Sequence, residues 1–297
     1  MPAPNWNAFT AVTLVVLVIL IALARASQSI VVGDGGELEP TSEPSRELGS
    51  DDSTPESSPL GAGRSLLEDG RPTSEPEPTE LASEPTDQAD EPINQIDTQP
   101  NPEDELTTGV LLLNVALSQG LFGVILVISA MLAGIPRSAL GVESATLFQL
   151  GVGIVLGVAL FVANEIGQRV ADALRIEYED GLRELLTPDS FRGWALLLGV
   201  VLPIIAGFEE LLFRSALVGA LAGGYGISPW LLAVLSSVAF AVGHGAQGPG
   251  GVLVTGTLGG VLAAAFVLSG SLLVVVVAHY LVNALEFVVH AHGERSR

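Results

Sequence analysis

Residues 193–222 read GWALLLGVVLPIIAGFEELLFRSALVGALA, an apolar run of about 30 residues whose only charges are Glu209, Glu210 and Arg214. A lipid hydrocarbon core about 30 Å thick needs about 20 apolar residues in a helix. The stretch is therefore long enough to span a membrane, with Pro203 and Gly207 as places where it can bend or divide. A charge near the bilayer centre costs roughly 2.5–3.5 kcal/mol on insertion scales. Three of them in one span need a compensating structure or a function.

Working outward, the same apolar texture recurs at 107–134, 144–166, 229–247, 249–269 and 271–290, and at 8–24 near the N-terminus. This pattern predicts an all-α, polytopic transmembrane helix bundle of seven spans. It lies in a cell membrane with the lipid bilayer as its main partner. No basic residue precedes 8–24 and Arg25 follows it, the reverse of a secretory signal. Residues 1–26 thus read as an uncleaved membrane anchor. Arg169, Arg175, Arg183 and Arg192 concentrate in 168–192, an amphipathic stretch expected to lie in the interface. With Arg295 and Arg297 they place that loop and the C-terminus inside, and the N-terminus outside. Gly153 with Gly157, and Gly256 with Gly260 and Ala264, form small-residue stripes that let helices approach closely in lipid.

Charge divides the chain sharply. The net charge is −21, yet residues 27–106 hold 21 of the 33 acidic residues and 3 of the 12 basic ones. Their repeated Ser-Glu-Pro triplets and sparse apolar residues cannot offset chain entropy by burial. They are expected to be a disordered acidic linker. The remaining domains follow: accessory helices and an interfacial helix over 107–192, a core over 193–290, and a tail over 291–297. Every basic residue is Arg, and the acidity without Lys suggests a salt-adapted source. So acidic a chain is unsuited to nucleic acid, which binds through cationic neutralisation of phosphates. Without cysteine, disulfides, thiolate metal sites and a cysteine nucleophile are excluded.

Three polar groups interrupt the apolar helices. In Glu209-Glu210-Leu211-Leu212-Phe213-Arg214, Glu210 and Arg214 are four apart and share a helical face. A buried pair of this kind can be purely structural. It leaves Glu209 over, an acid suited to general-base work. In Phe240-Ala241-Val242-Gly243-His244, Phe240 lies one turn before His244, and glycines flank the histidine. A lone membrane histidine is often no more than an interhelical hydrogen bond. In His279-Tyr280-Leu281-Val282-Asn283, His279 and Asn283 share a face. Glu286 and His290 continue it, but their place near the helix end suggests that they snorkel to the interface. Together the three groups offer an acid to activate water, imidazoles to move protons and an amide donor for an oxyanion, which peptide hydrolysis requires.

This order of motifs, within about 190–290, resembles the CAAX-protease and bacteriocin-processing family of intramembrane endopeptidases. The resemblance implies that Glu209 and His244 activate water and that His279 and Asn283 stabilise the oxyanion. It implies that Glu210, Arg214 and Phe240 support them. The implied partner is a membrane-associated peptide or protein. The expected cofactor set is empty, since the family's chemistry is glutamate-based. Zinc held by Glu209, His244 and His279 is the alternative, weakened because no H-E-x-x-H pair is present. Two other functions stay open: a scaffold or immunity-type protein using the polar cluster structurally, and a transporter. No internal repeat of the kind many transporters carry is visible in the sequence.

Overall fold

The computed structural model describes residues 3–33, 102–142, 145–173 and 186–294. Among these the chain is helical, with no strand. The principal helices are α1 (Trp6–Gly33), α2 (Pro102–Leu132), α3 (Leu147–Ala173), α4 (Phe191–Tyr225), α5 (Pro229–Gly243), α6 (Gly248–Ser269) and α7 (Leu272–Glu294). Six of them, all but α5, are long and apolar enough to cross a membrane. The expected seventh span, 229–247, instead ends as a 15-residue helix at Gly243. At 1.5 Å per residue it rises about 22 Å, short of a full hydrocarbon core. The chain then turns through Gly245–Gln247 and Gly248, whose φ of 73° needs a residue without a Cβ penalty.

Two expected boundaries shift. Residues 27–33 continue α1 and residues 102–106 begin α2, so the linker proposed for 27–106 falls within 34–101, outside the described residues. The interfacial helix proposed for 168–192 is likewise divided. Residues 168–173 finish α3, 174–185 lie outside the described residues, and α4 starts at Phe191. Ser190 caps α4, its hydroxyl oxygen accepting from the Gly193 N–H at 3.1 Å.

The 193–222 stretch is one continuous helix, α4, with two π-helical segments, Leu197–Val201 and Leu211–Ala220. Pro203 lacks an N–H and its ring crowds the preceding turn, and the wider π turn lies immediately before it. Half of α4's apolar window is buried, against 17% for each of α1, α2 and α3. It is the central helix. Leu212, Phe213, Ala216 and Val218 pack it on all sides, and Ser236 of α5 donates to the Phe213 carbonyl at 2.6 Å.

The small-residue stripes lie at packing seams. A Cβ on Gly153 would come within 2.9 Å of the Val274 carbonyl, and one on Gly157 within 2.9 Å of the Ala278 carbonyl, both in α7. A Cβ on Gly256 would meet Ala241 of α5 at 3.1 Å. α1 is more than a tether. Phe9 and Val16 are buried, Asn5 N–H donates to the Ala133 carbonyl at 2.8 Å, and the Tyr225 hydroxyl at the end of α4 reaches Asn7 and Thr10.

Candidate active site

The α4 charges are brought together with α7. Glu210 and Arg214 are completely buried, and Arg214 Nη1 donates to Glu210 Oε1 at 2.8 Å. The second guanidinium nitrogen, Nη2, donates to the Gly259 carbonyl of α6 at 2.9 Å. An ion pair wholly out of water is maintained only when such additional bonds accompany it. The cation also lies 4.9 Å from the centroid of the Phe240 ring, within cation–π range.

His279 joins the same carboxylate. Its Nδ1 lies 2.7 Å from Glu210 Oε1, and its Nε2 faces Glu209 Oε2 at 3.7 Å. Because a carboxylate oxygen accepts, the proton in the first contact belongs to His279 Nδ1. Glu210 is thus shared between Arg214 and His279, and Glu209 is the carboxylate left beside the imidazole.

His244 sits one residue past the end of α5, at the entrance to the following turn. Its Nδ1 lies 2.8 Å from the Phe240 carbonyl. A carbonyl can only accept, so Nδ1 carries the proton and Nε2 of the neutral ring keeps its lone pair. Phe240 packs between the groups: its ring is 4.4 Å from that of His244, 6.0 Å from that of His279 and edge-on to Phe213 at 4.9 Å. Its ring thus contacts the Arg214 guanidinium and both imidazoles.

Glu209, His244, His279 and Asn283 all line one cavity of about 280 Å³, with Phe240 in its wall. The remaining wall is mainly apolar, with Leu112, Val115, Leu197, Val201, Ile205 and Leu258 among its residues. Glu210 and Arg214 stand behind the cavity rather than in its lining. A polar site enclosed by apolar helices strengthens each electrostatic interaction made within it.

Several residues escaped the sequence reading. Glu286, expected to snorkel, is buried and lines the same cavity. Asn164 of α3 donates to Glu286 Oε1, and Gln168 Nε2 lies 3.4 Å from Oε2. His290, also expected at the interface, is only partly exposed and contacts Glu165 of α3 at 3.5 Å. Polar Asn164, Glu165 and Gln168 inside one apolar helix were the available signal. Gly259 was also missed. A Cβ there would meet the Phe240 ring at 2.9 Å and Arg214 Nη2 at 3.5 Å, so the close approach of α6 depends on a tertiary contact.

Among the described residues, the group with ligand atoms within 4.8 Å of one another is Glu165, Glu286 and His290. The set Glu209, His244 and His279 does not form such a group.

Residues 191–285 match the family model of the type II CAAX prenyl endopeptidases, described as Rce1-like. The match spans the three motifs and covers about a third of the chain. No curated protein and no solved structure matches it significantly.

Proposed function

We propose that this multi-pass membrane protein, which carries an Rce1-like domain over residues 191–285, is an intramembrane endopeptidase that hydrolyses a peptide bond with activated water. The observation that carries the reading is the convergence of Glu209, His244, His279 and Asn283 on one cavity inside apolar helices.

The residues divide by what their atoms can do. Glu209 takes a proton from water as the oxygen attacks the scissile carbonyl carbon. His244 Nε2, its lone pair free because Nδ1 donates to Phe240, helps to orient that water. Attack converts the carbonyl oxygen to an oxyanion. The Asn283 amide donates to it, and His279, whose Nε2 lies 3.7 Å from Glu209 Oε2, adds a second donor when that nitrogen carries a proton of its own. The C–N bond then breaks, and the proton held by Glu209 passes to the departing amine. Glu210 fixes the His279 ring through Nδ1, and Arg214 balances Glu210. Neither needs to touch the substrate.

The substrate under this reading is a membrane-associated peptide or protein segment, since the cavity wall is apolar apart from a few polar groups. The test is mass spectrometry of membrane peptides from cells carrying the wild-type protein or Glu209→Ala. Specific peptide ends should be present with the wild type and missing with the variant. Identical peptide ends in the two samples would reject the proteolytic reading in favour of a structural use of the same cluster.

A further inference from the structure

A peptide drawn into this cavity leaves water behind. Its main-chain N–H and C=O groups then need partners among the lining side chains, because an unpaired polar group in apolar surroundings is costly. The wall is mainly apolar, so a few polar groups decide how the substrate backbone lies. Among the described lining residues, the carboxamides are Asn164, Gln247 and Asn283. Asn164 donates to Glu286, and Asn283 faces the oxyanion in the proposed chemistry. Gln247 takes no part in water activation.

Its place is built by the local sequence. Gly245–Gln247 form the short turn between α5 and α6, and the Gln247 N–H donates to the His244 carbonyl at 3.0 Å. Gln247 therefore leaves the same turn as His244. It is also the residue before α6, yet its side chain does not cap that helix. Instead Oε1 accepts from the Thr255 hydroxyl at 2.5 Å, about two turns further along α6. Gly251 lies between them, and a Cβ there would run into the Gln247 Cβ. The carboxamide is thus laid along the start of α6 and anchored through its oxygen. A carboxamide nitrogen carries two donor hydrogens. With Oε1 bound to Thr255, none of the described residues takes either of them. A side chain already held in this way has less rotamer freedom to lose when a ligand binds.

We infer that Gln247, held by Thr255, donates from Nε2 to a main-chain carbonyl of the substrate beside the scissile bond, and so registers the peptide against the water that Glu209 and His244 activate. The inference rests on the proteolytic reading and deepens it: the site grips an extended peptide by its backbone, whatever side chain that residue carries. Thr255 is a positioning residue that acts through Gln247.

The test uses the full chain purified in detergent and an apolar peptide. Each main-chain carbonyl near the cleaved bond, the scissile one excepted, is replaced in turn by a thiocarbonyl, a weaker acceptor of similar shape. Cleavage is read by mass spectrometry as relative kcat/KM. The wild type should cleave one thioamide peptide severalfold more slowly than the parent. Gln247→Met keeps the side-chain length but has no N–H. It should cleave the parent about tenfold more slowly, as expected for one lost hydrogen bond, and should treat that thioamide peptide and the parent alike. Thr255→Val should weaken cleavage and the thioamide penalty together, and Thr255→Ser should restore both. A wild type without a sensitive carbonyl would overturn the inference whether or not the variants fold. An undiminished penalty at the same carbonyl in a folded Gln247→Met would overturn it as well, and would leave Gln247 a structural part of the turn. A wild type that cleaves no apolar peptide would remove the protease reading and this inference with it, a result distinct from cleavage without a sensitive carbonyl.

Discussion

Helix α7 runs past two clusters built from the same residue types. Toward its start, His279 meets Glu209 and Glu210 of α4. Toward its end, Glu286 and His290 meet Glu165 of α3. The first cluster contains a fully buried Arg214, bonded to one carboxylate and one backbone carbonyl. At the second, among the described residues, the carboxamides of Asn164 and Gln168 reach Glu286, and Arg169, mostly exposed, lies 3.9 Å from Glu165. Two carboxylates and an imidazole thus stand in different surroundings at the two places. Where a cation balances one acid, the other acid is set beside an oriented histidine and can handle protons.

Removing the compensating cation is the most severe way to break this contrast. Arg214→Leu leaves Glu210 buried with no cation beside it, and breaking a buried pair typically costs about 3–5 kcal/mol. The variant should lose its cooperative melt in detergent or melt far below the wild type. An unchanged melting temperature would show that Glu210 does not depend on Arg214. Next in size is Asn283→Ala, which spares both clusters' charges but removes the proposed oxyanion donor. Its kcat should fall by about 10²–10³ with the melting curve retained. A change confined to KM would assign Asn283 to substrate binding instead.

A smaller perturbation acts on the packing of α3 against α7. In Gly157→Leu the new side chain runs into the Ala278 backbone at the α3–α7 seam. Overpacking of this sort costs about 1–3 kcal/mol. It should loosen the seam that carries the Asn164 and Gln168 contacts to Glu286, so the melting temperature in detergent should fall. An unchanged melting temperature would show that the seam accommodates the larger side chain.

The two clusters were not equally legible in the sequence. Glu209, Glu210 and Arg214 stood out because charge in the middle of a 30-residue apolar run has no solvated alternative. The i,i+4 spacing then identified the Glu210–Arg214 pair correctly, and left Glu209 as the spare acid. Glu286 was misplaced because nearness to a helix end was taken as access to the interface. Its burial depends on α3, and sequence spacing along α7 carries no information about a neighbour more than 100 residues away. The same limit concealed Gly259, whose missing Cβ matters only because Phe240 and Arg214 approach it from other helices. The 229–247 span is longer than α5 because no Asp, Glu, Lys or Arg marks its end, whereas the helix stops at Gly243 and the backbone turns from His244.

Local pattern also could not tell a bend from a break in α4. Pro203 and Gly207 allowed either, and the chain instead stays helical through two π segments. The second begins at Leu211, immediately after the paired glutamates, and contains Arg214. π segments occur often at functional sites. This one starts two residues after the carboxylate that faces the cavity and carries the arginine behind it.

The central claim is that Glu209 activates water for peptide cleavage. The most direct measurement follows a single membrane peptide in vesicles containing purified wild-type protein or Glu209→Gln, two side chains of nearly equal shape that differ in the ability to take a proton. The account predicts a fall in cleavage rate of about 10²–10⁴ with an unchanged melting curve. Cleavage at the wild-type rate by a folded Glu209→Gln would contradict it.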